Sequence, residues 1–168
     1  MEILIPILAF FGIFVGILMA KFTREEIRNN RSYLLILSKI IIGILIFTII
    51  IFTKNFSLFF IGVLIGFLSA YFLSEFLFFG LELGVSLILQ KNIIFTASFL
   101  IFMYLVLYGS LLRITKLNFS KILILFIMFF LPFSMLLFQE ILMVDLIIGF
   151  IAGGLTKYLV GDKFSLNF

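Results

Sequence analysis

The stretch SEFLFFGLELGVS, residues 74 to 86, sets two carboxylates, Glu75 and Glu82, among almost wholly apolar neighbours. A charged group at membrane depth costs at least about 2.5 to 3.5 kcal/mol on insertion scales, so such residues usually face a bundle interior and mark an ion or proton pathway. Glu82 shares a helical face with Ser86 at i+4 and Gln90 at i+8, and with Glu75 seven positions earlier, which draws a polar stripe along one helix. Gly80 and Gly84 lie elsewhere around that helix and offer a packing face. Glu75 has the simpler reading: after a Ser74 cap it opens the helix, where the dipole favours an anion and water is near. Glu82, two turns deeper, is the candidate site for an ion or a proton, and the same stripe also fits a buried hydrogen-bond network. Lys39 and Lys157 are the cations within reach of it, although both have stems long enough to snorkel to an interface instead. A proton on the carboxyl would neutralise it equally well.

Cysteine and histidine are both absent. That removes disulfides, thiol redox chemistry, haem ligation by either residue, zinc sites built on them, and Ser-His or Cys-His nucleophile pairs. The chain carries no paired-Asp motif for metal-phosphate chemistry, no Gly-rich phosphate loop and no G-x-S-x-G. The expectation is a protein that is not an enzyme and holds no cofactor or metal.

The elements that must position the stripe follow from composition. Of 168 residues, 65% are hydrophobic and 12% charged, far too little polar surface to coat a soluble globule. The expected fold is all-α: one polytopic integral membrane helix bundle, with residues 1–168 as a single transmembrane domain in the cell membrane. The 26 Phe are spread evenly among abundant Ile, Leu, Lys and Asn, as AT-rich coding would give, and mark no binding surface. The first segment opens with Glu2 rather than a basic region and lacks a clear A-x-A site before Lys21, so it reads as a retained transmembrane helix. The net charge of +4 sits in short connections and not in an aromatic-interleaved patch, which points to topology and away from nucleic acid.

Clear spans run over Ile3 to Ala20, Tyr33 to Phe52, Ile93 to Leu112, Ile122 to Phe138 and Leu146 to Val160. Between them Leu58 to Lys91 would make about 50 Å of helix, too long for one crossing and short for two. Charge decides. The first connection holds Lys21, Arg24, Arg28 and Arg31 and belongs inside; only if Leu58 to Lys91 crosses twice, turning near Leu73 to Glu75, do Arg113, Lys116, Lys121, Lys157 and Lys163 also fall inside. The count is then about seven transmembrane helices, with the N-terminus outside and the C-terminus inside.

Helix-start residues stand where this threading needs them: Asn55 with Ser57, Ser74, Asn92, Asn118 with Ser120, and Asp145. Thr23 followed by Glu26 matches a capping box, which predicts a short interfacial helix to Asn29 or Asn30 whose arginines suit a lipid surface. A small-xxx-small ridge recurs as Gly12 and Gly16, Gly62 and Gly66, and Gly149 and Gly153, each followed two residues on by Leu. Its unequal separations make it a weak repeat; its simplest use is close helix packing, and a glycine-lined permeation path is the alternative. Pro132 should kink the sixth span, Gln139, Glu140 and Asp145 suit an outer loop, and Tyr108, one turn after Tyr104, suits an interface anchor.

Two functions fit. The first is a small transporter or permease in which Glu82, with Ser86, Glu75 and Lys39 or Lys157, binds an ion, a proton or a small polar solute near the midplane. The second is a non-catalytic subunit or assembly factor of a membrane complex, in which the same residues hold a partner helix, a second copy of the chain or an internal network. A lipid-modifying enzyme ranks third.

Overall fold

A computed structural model describes residues 4–89, 91–112, 119–132 and 143–160. Among these residues every regular element is an α-helix: α1 Leu4–Phe22, α2 Arg24–Asn29, α3 Arg31–Ile50, α4 Phe56–Ser69, α5 Glu75–Leu89, α6 Lys91–Leu112, α7 Phe119–Phe130 and α8 Val144–Val160. Three of them, over Leu4–Phe22, Arg31–Ile50 and Ile93–Leu111, are long and apolar enough to cross a membrane. The ambiguous piece is two helices, α4 and α5, joined by a turn at 70–74, where the hairpin was expected.

Backbone contacts fix which way the helices run. Gly12 lies against the carbonyl of Phe102, Gly16 against that of Val106, and beyond them Ala20 packs with Leu111, so α1 and α6 are parallel. Gly62 meets Leu146, Gly66 meets Phe150, and the end of α8 places the Tyr158 hydroxyl on the carbonyls of Ala70 and Leu73, so α4 and α8 are parallel too. Helix α3 opposes α8, with Gly43 beside Leu159 at one end and the Lys54 amide donating to Asp145 at 2.8 Å at the other. Helix α5 opposes α6: the Phe76 ring lies on Tyr108 and the Phe79 ring on Tyr104. One end of the bundle, the α2 end, therefore gathers α2, the 70–74 turn and the last turns of α6 and α8.

The two parallel pairs are held by missing side chains. With Gly at 12, 16 and 109 in one pair and at 62, 66, 149 and 153 in the other, a Cβ at any of these positions would overlap a backbone carbonyl of the partner helix. Lipid tails supply no hydrophobic drive between helices, so such van der Waals approach is what holds them. Away from the seams large apolar side chains face outward, among them Leu8, Phe11 and Leu18 on α1 and Phe60, Leu64 and Leu68 on α4. A soluble monomer rarely shows so continuous an apolar exterior, and it is the surface hydrocarbon would cover.

Several local expectations resolve differently. Asn55 caps α4 as expected, its side chain accepting from the amides of Ser57 and Leu58 at 3.2 and 3.3 Å. Thr23 precedes α2, but its hydroxyl donates back to the Met19 carbonyl at 3.0 Å and the capping box does not close, because the chain enters α2 directly from the last turn of α1. Ser74 is no cap either: its hydroxyl is buried without a hydrogen-bond partner. Asn92 stands inside α6 and Ser120 inside α7, and Asp145 is in the first turn of α8, where it ties that helix to the α3–α4 connection. At Pro132 the α-helical part of α7 has already given way to a tight 3₁₀ turn over 131–132, since the ring removes a donor and crowds the preceding turn. Gln90, Asn118, Ser134, Gln139 and Glu140 lie outside the described residues.

Candidate functional site

Helix α5 is the innermost element. Phe76 and every residue from Phe78 to Ser86 are buried, and α6, α7 and α8 all pack against it. A helix apolar nearly all round belongs in an interior. With 15 residues it is about 22 Å long, and Glu82 is its eighth residue.

Glu82 is 1% exposed, and among the described residues neither carboxylate oxygen has a hydrogen-bond partner. Its same-face neighbours are Phe78 and Phe79 towards the α2 end, and Val85 with Ser86, itself 1% exposed, towards the other. A buried carboxyl without a partner forfeits the whole solvation of that group and normally costs several kcal/mol; it persists only where something balances it. Neither expected cation hydrogen-bonds to it. The Lys157 ammonium lies 3.2 Å from the centroid of the Tyr71 ring at the α2 end, a cation–π contact. Lys39, half-buried in α3, makes no hydrogen bond to the Glu82 oxygens. The stripe thus brings Glu82 and Ser86 together on one buried face, with neither Glu82 oxygen hydrogen-bonded to a described residue.

Glu75 is where the structure adds most. Although it opens α5, its carboxylate does more than answer the helix dipole: it accepts a 2.9 Å hydrogen bond from the buried Tyr104 hydroxyl. Tyr108, on the next turn of α6, stacks beside Tyr104 with ring centroids 6.3 Å apart. Tyr158 of α8 completes the cluster, its hydroxyl donating to the Leu73 carbonyl at 2.5 Å. Tyr108 is therefore a buried member of a tyrosine cluster and not an interface anchor. Sequence reading missed Tyr158 altogether. Its only signal is the register of α8 against the 70–74 turn, which no local pattern displays.

The glycines of α5 divide. Gly80 packs against the Phe129 backbone and Pro132 of the α7 segment, as a packing face should. Gly84 is buried, yet a Cβ built there would meet no described residue within 4 Å, so among the described residues space is open on the side of α5 away from Glu82. Among the described residues no group of three or more acidic, His or Cys side chains could hold a metal ion. What the arrangement can do is bind something that neutralises one carboxyl in a dry interior.

Comparison with protein-family models, with curated protein sequences and with solved structures gives no match.

Proposed function

We propose that the chain is a multi-pass protein of the cell membrane, crossing seven times with its N-terminus outside and C-terminus inside, and that it works as a small transporter or permease. Glu82 is its midplane site, and the species moved is an ion, a proton or a small polar solute. The observation that carries this reading is the Glu82 carboxyl, 1% exposed with both oxygens unpartnered; intramembrane ionisable groups of that kind are kept for what they bind. The threading is supported by the parallel course of α1 with α6 and of α4 with α8, which needs an odd number of crossings between the members of each pair. A non-catalytic membrane subunit is the competing reading. It is favoured by the glycine seams, whose backbone contacts make a rigid scaffold.

The absence of cysteine supplies the test. A single Cys at position 82 is treated from each side with a small membrane-impermeant thiol reagent, alongside single-Cys probes at 30, 92 and 118. Labelling at 82, with 92 labelled from outside and 30 and 118 from inside, is the expected result. Loop probes that behave while 82 stays unlabelled from both sides would put Glu82 in a sealed core and give the protein to the subunit reading.

A further inference from the structure

The donor atoms around Glu82 narrow what it can bind. A hard metal cation replaces its hydration shell with about six to eight oxygens. On α5 itself the carboxyl has one hydroxyl one turn away, at Ser86, and otherwise Phe78, Phe79, Leu83 and Val85, all buried. The carbonyls of α5 are spent on its own helical ladder, and no acidic cluster stands nearby among the described residues. The carboxylate and hydroxyl that α5 supplies fall far short of that shell. They are enough for a proton, which needs a single oxygen.

A proton must also have a route, and the stripe provides one. Glu75 lies two helical turns from Glu82, about 10 Å along the same face of α5, at the α2 end beside the 70–74 turn, where Tyr71 and Phe72 are exposed. Its carboxylate is hydrogen-bonded by Tyr104. The charged and titratable side chains around it are Tyr104 and Tyr108 from α6 and Tyr158 from α8, with Lys157 of α8 held over Tyr71. The turn between the two carboxyls is filled by Phe78 and Phe79, both 0% exposed, and the Phe79 ring rests on Tyr104 with centroids 4.8 Å apart. The side chain that braces Glu75 is thus the one against which the intervening ring is packed.

We propose that the ion bound at Glu82 is a proton and that it arrives from Glu75, the two carboxyls being successive stations on one face of α5 with Phe79 as the apolar barrier between them. This rests on the reading of Glu82 as a binding site. In the transfer the O–H bond of protonated Glu75 breaks, the proton passes through water admitted as Phe79 moves, and a new O–H bond forms on Glu82. Glu75 is left ionised, steadied by the Tyr104 hydroxyl, until water at the α2 end returns a proton to it.

The test is infrared spectroscopy of the full chain in lipid vesicles transferred to D2O. The wild type should show the C=O band of a protonated carboxyl that Glu82→Gln removes, and the band should shift as the proton exchanges for a deuteron. Glu75→Gln should slow that exchange about a hundredfold, the low end of what a positioned proton-transfer group supplies. Tyr104→Phe should slow it less, and Phe79→Ala should speed it. If Glu75→Gln does not yield a folded protein, the opposite shifts of Tyr104→Phe and Phe79→Ala decide the route. Wild-type exchange rates in all three variants would overturn the route. No band sensitive to Glu82→Gln would overturn the proton while leaving labelling at position 82 to speak for a site. A Glu82 band that never exchanges in the wild type would sink both readings together.

Discussion

Where α4 meets α8, backbone touches backbone through Gly62, Gly66, Gly149 and Gly153; where α5 meets its neighbours, the rings of Phe76, Phe78 and Phe79 fill the space and a carboxyl is left among them. The first arrangement has no slack, because the atoms in contact are backbone and cannot swing aside. The second, apart from the close backbone approach of α7 at Gly80, is built from side chains that can change rotamer, and among the described residues it retains open space at Gly84 and unmet hydrogen-bonding capacity at Glu82 and Ser74. In a bilayer, where packing replaces the hydrophobic drive, the contrast separates a frame from what the proposed function makes the working part. The pair α1 with α6 belongs to the frame by the same criterion, through Gly12, Gly16 and Gly109.

The frame breaks most sharply at Gly66. A valine there drives its branched side chain into the Phe150 carbonyl, and neither helix can yield without shifting whole. Overpacking costs about 1 to 3 kcal/mol and occasionally more, and against unyielding backbone the high end applies, so Gly66→Val should abolish accumulation of folded protein or lower its midpoint of unfolding in mixed detergent micelles steeply. Normal stability of that variant would refute the seam. The working part should respond in the opposite direction. Glu82→Leu removes a group that costs about 2.5 to 3.5 kcal/mol at membrane depth and returns an apolar side chain of similar reach, so the variant should unfold later than wild type by about that much while losing the Glu82 carboxyl band. Stability bought at the expense of a site is the usual trade; a destabilised Glu82→Leu would mean that the carboxyl supports the fold.

How much of this contrast is written locally explains what could be foreseen. The glycine ridges are spacings within one helix, so Gly12 with Gly16 and Gly62 with Gly66 are visible in the sequence; that the first pair meets α6 and the second α8 depends on chain reversals many residues away. The burial of Glu82 follows from apolar neighbours on both sides in sequence. Its lack of a partner does not: Lys157 lies on a helix that ends beside Tyr71, and the depth that made it plausible says nothing of which way its stem turns. Glu75 looks like a plain helix start because helix dipoles act locally, whereas Tyr104 reaches it from a helix that begins after it, and Tyr158 closes on the turn beside it from a later helix still. Ser74 obeys the composition rule for a cap, but its hydroxyl is buried with no hydrogen-bond partner among the described residues, tertiary packing having overruled the local preference.

A smaller effect is expected at the α2 end, where the working part does have a partner. Tyr104→Phe keeps the ring that packs on Phe79 and deletes only the hydroxyl that donates to Glu75. Interhelical hydrogen bonds in membranes are worth about 0.6 kcal/mol on average and less than about 2 at most, so the loss should be about 1 kcal/mol by the same unfolding measurement. A larger loss would mean that the tyrosine cluster belongs to the frame.

The slightest change gives the finest discrimination within α5. Gly80 and Gly84 stand one turn apart on the same helix, and composition alone treats them alike. A methyl group at 80 runs into the Phe129 backbone, while one at 84 enters space where no described residue lies within 4 Å. Alanine is also the better helix former, by up to about 1 kcal/mol over glycine, because it restricts the unfolded backbone. Gly84→Ala should therefore be neutral to stabilising by about half a kcal/mol to one, and Gly80→Ala clearly destabilising, when both are unfolded side by side. If the space beside Gly84 is room into which α5 shifts during proton transfer, Gly84→Ala should also slow deuterium exchange at Glu82 while leaving the fold intact. An unchanged exchange rate would make the space a passive gap and leave the mobility of the site to the Phe79 ring alone.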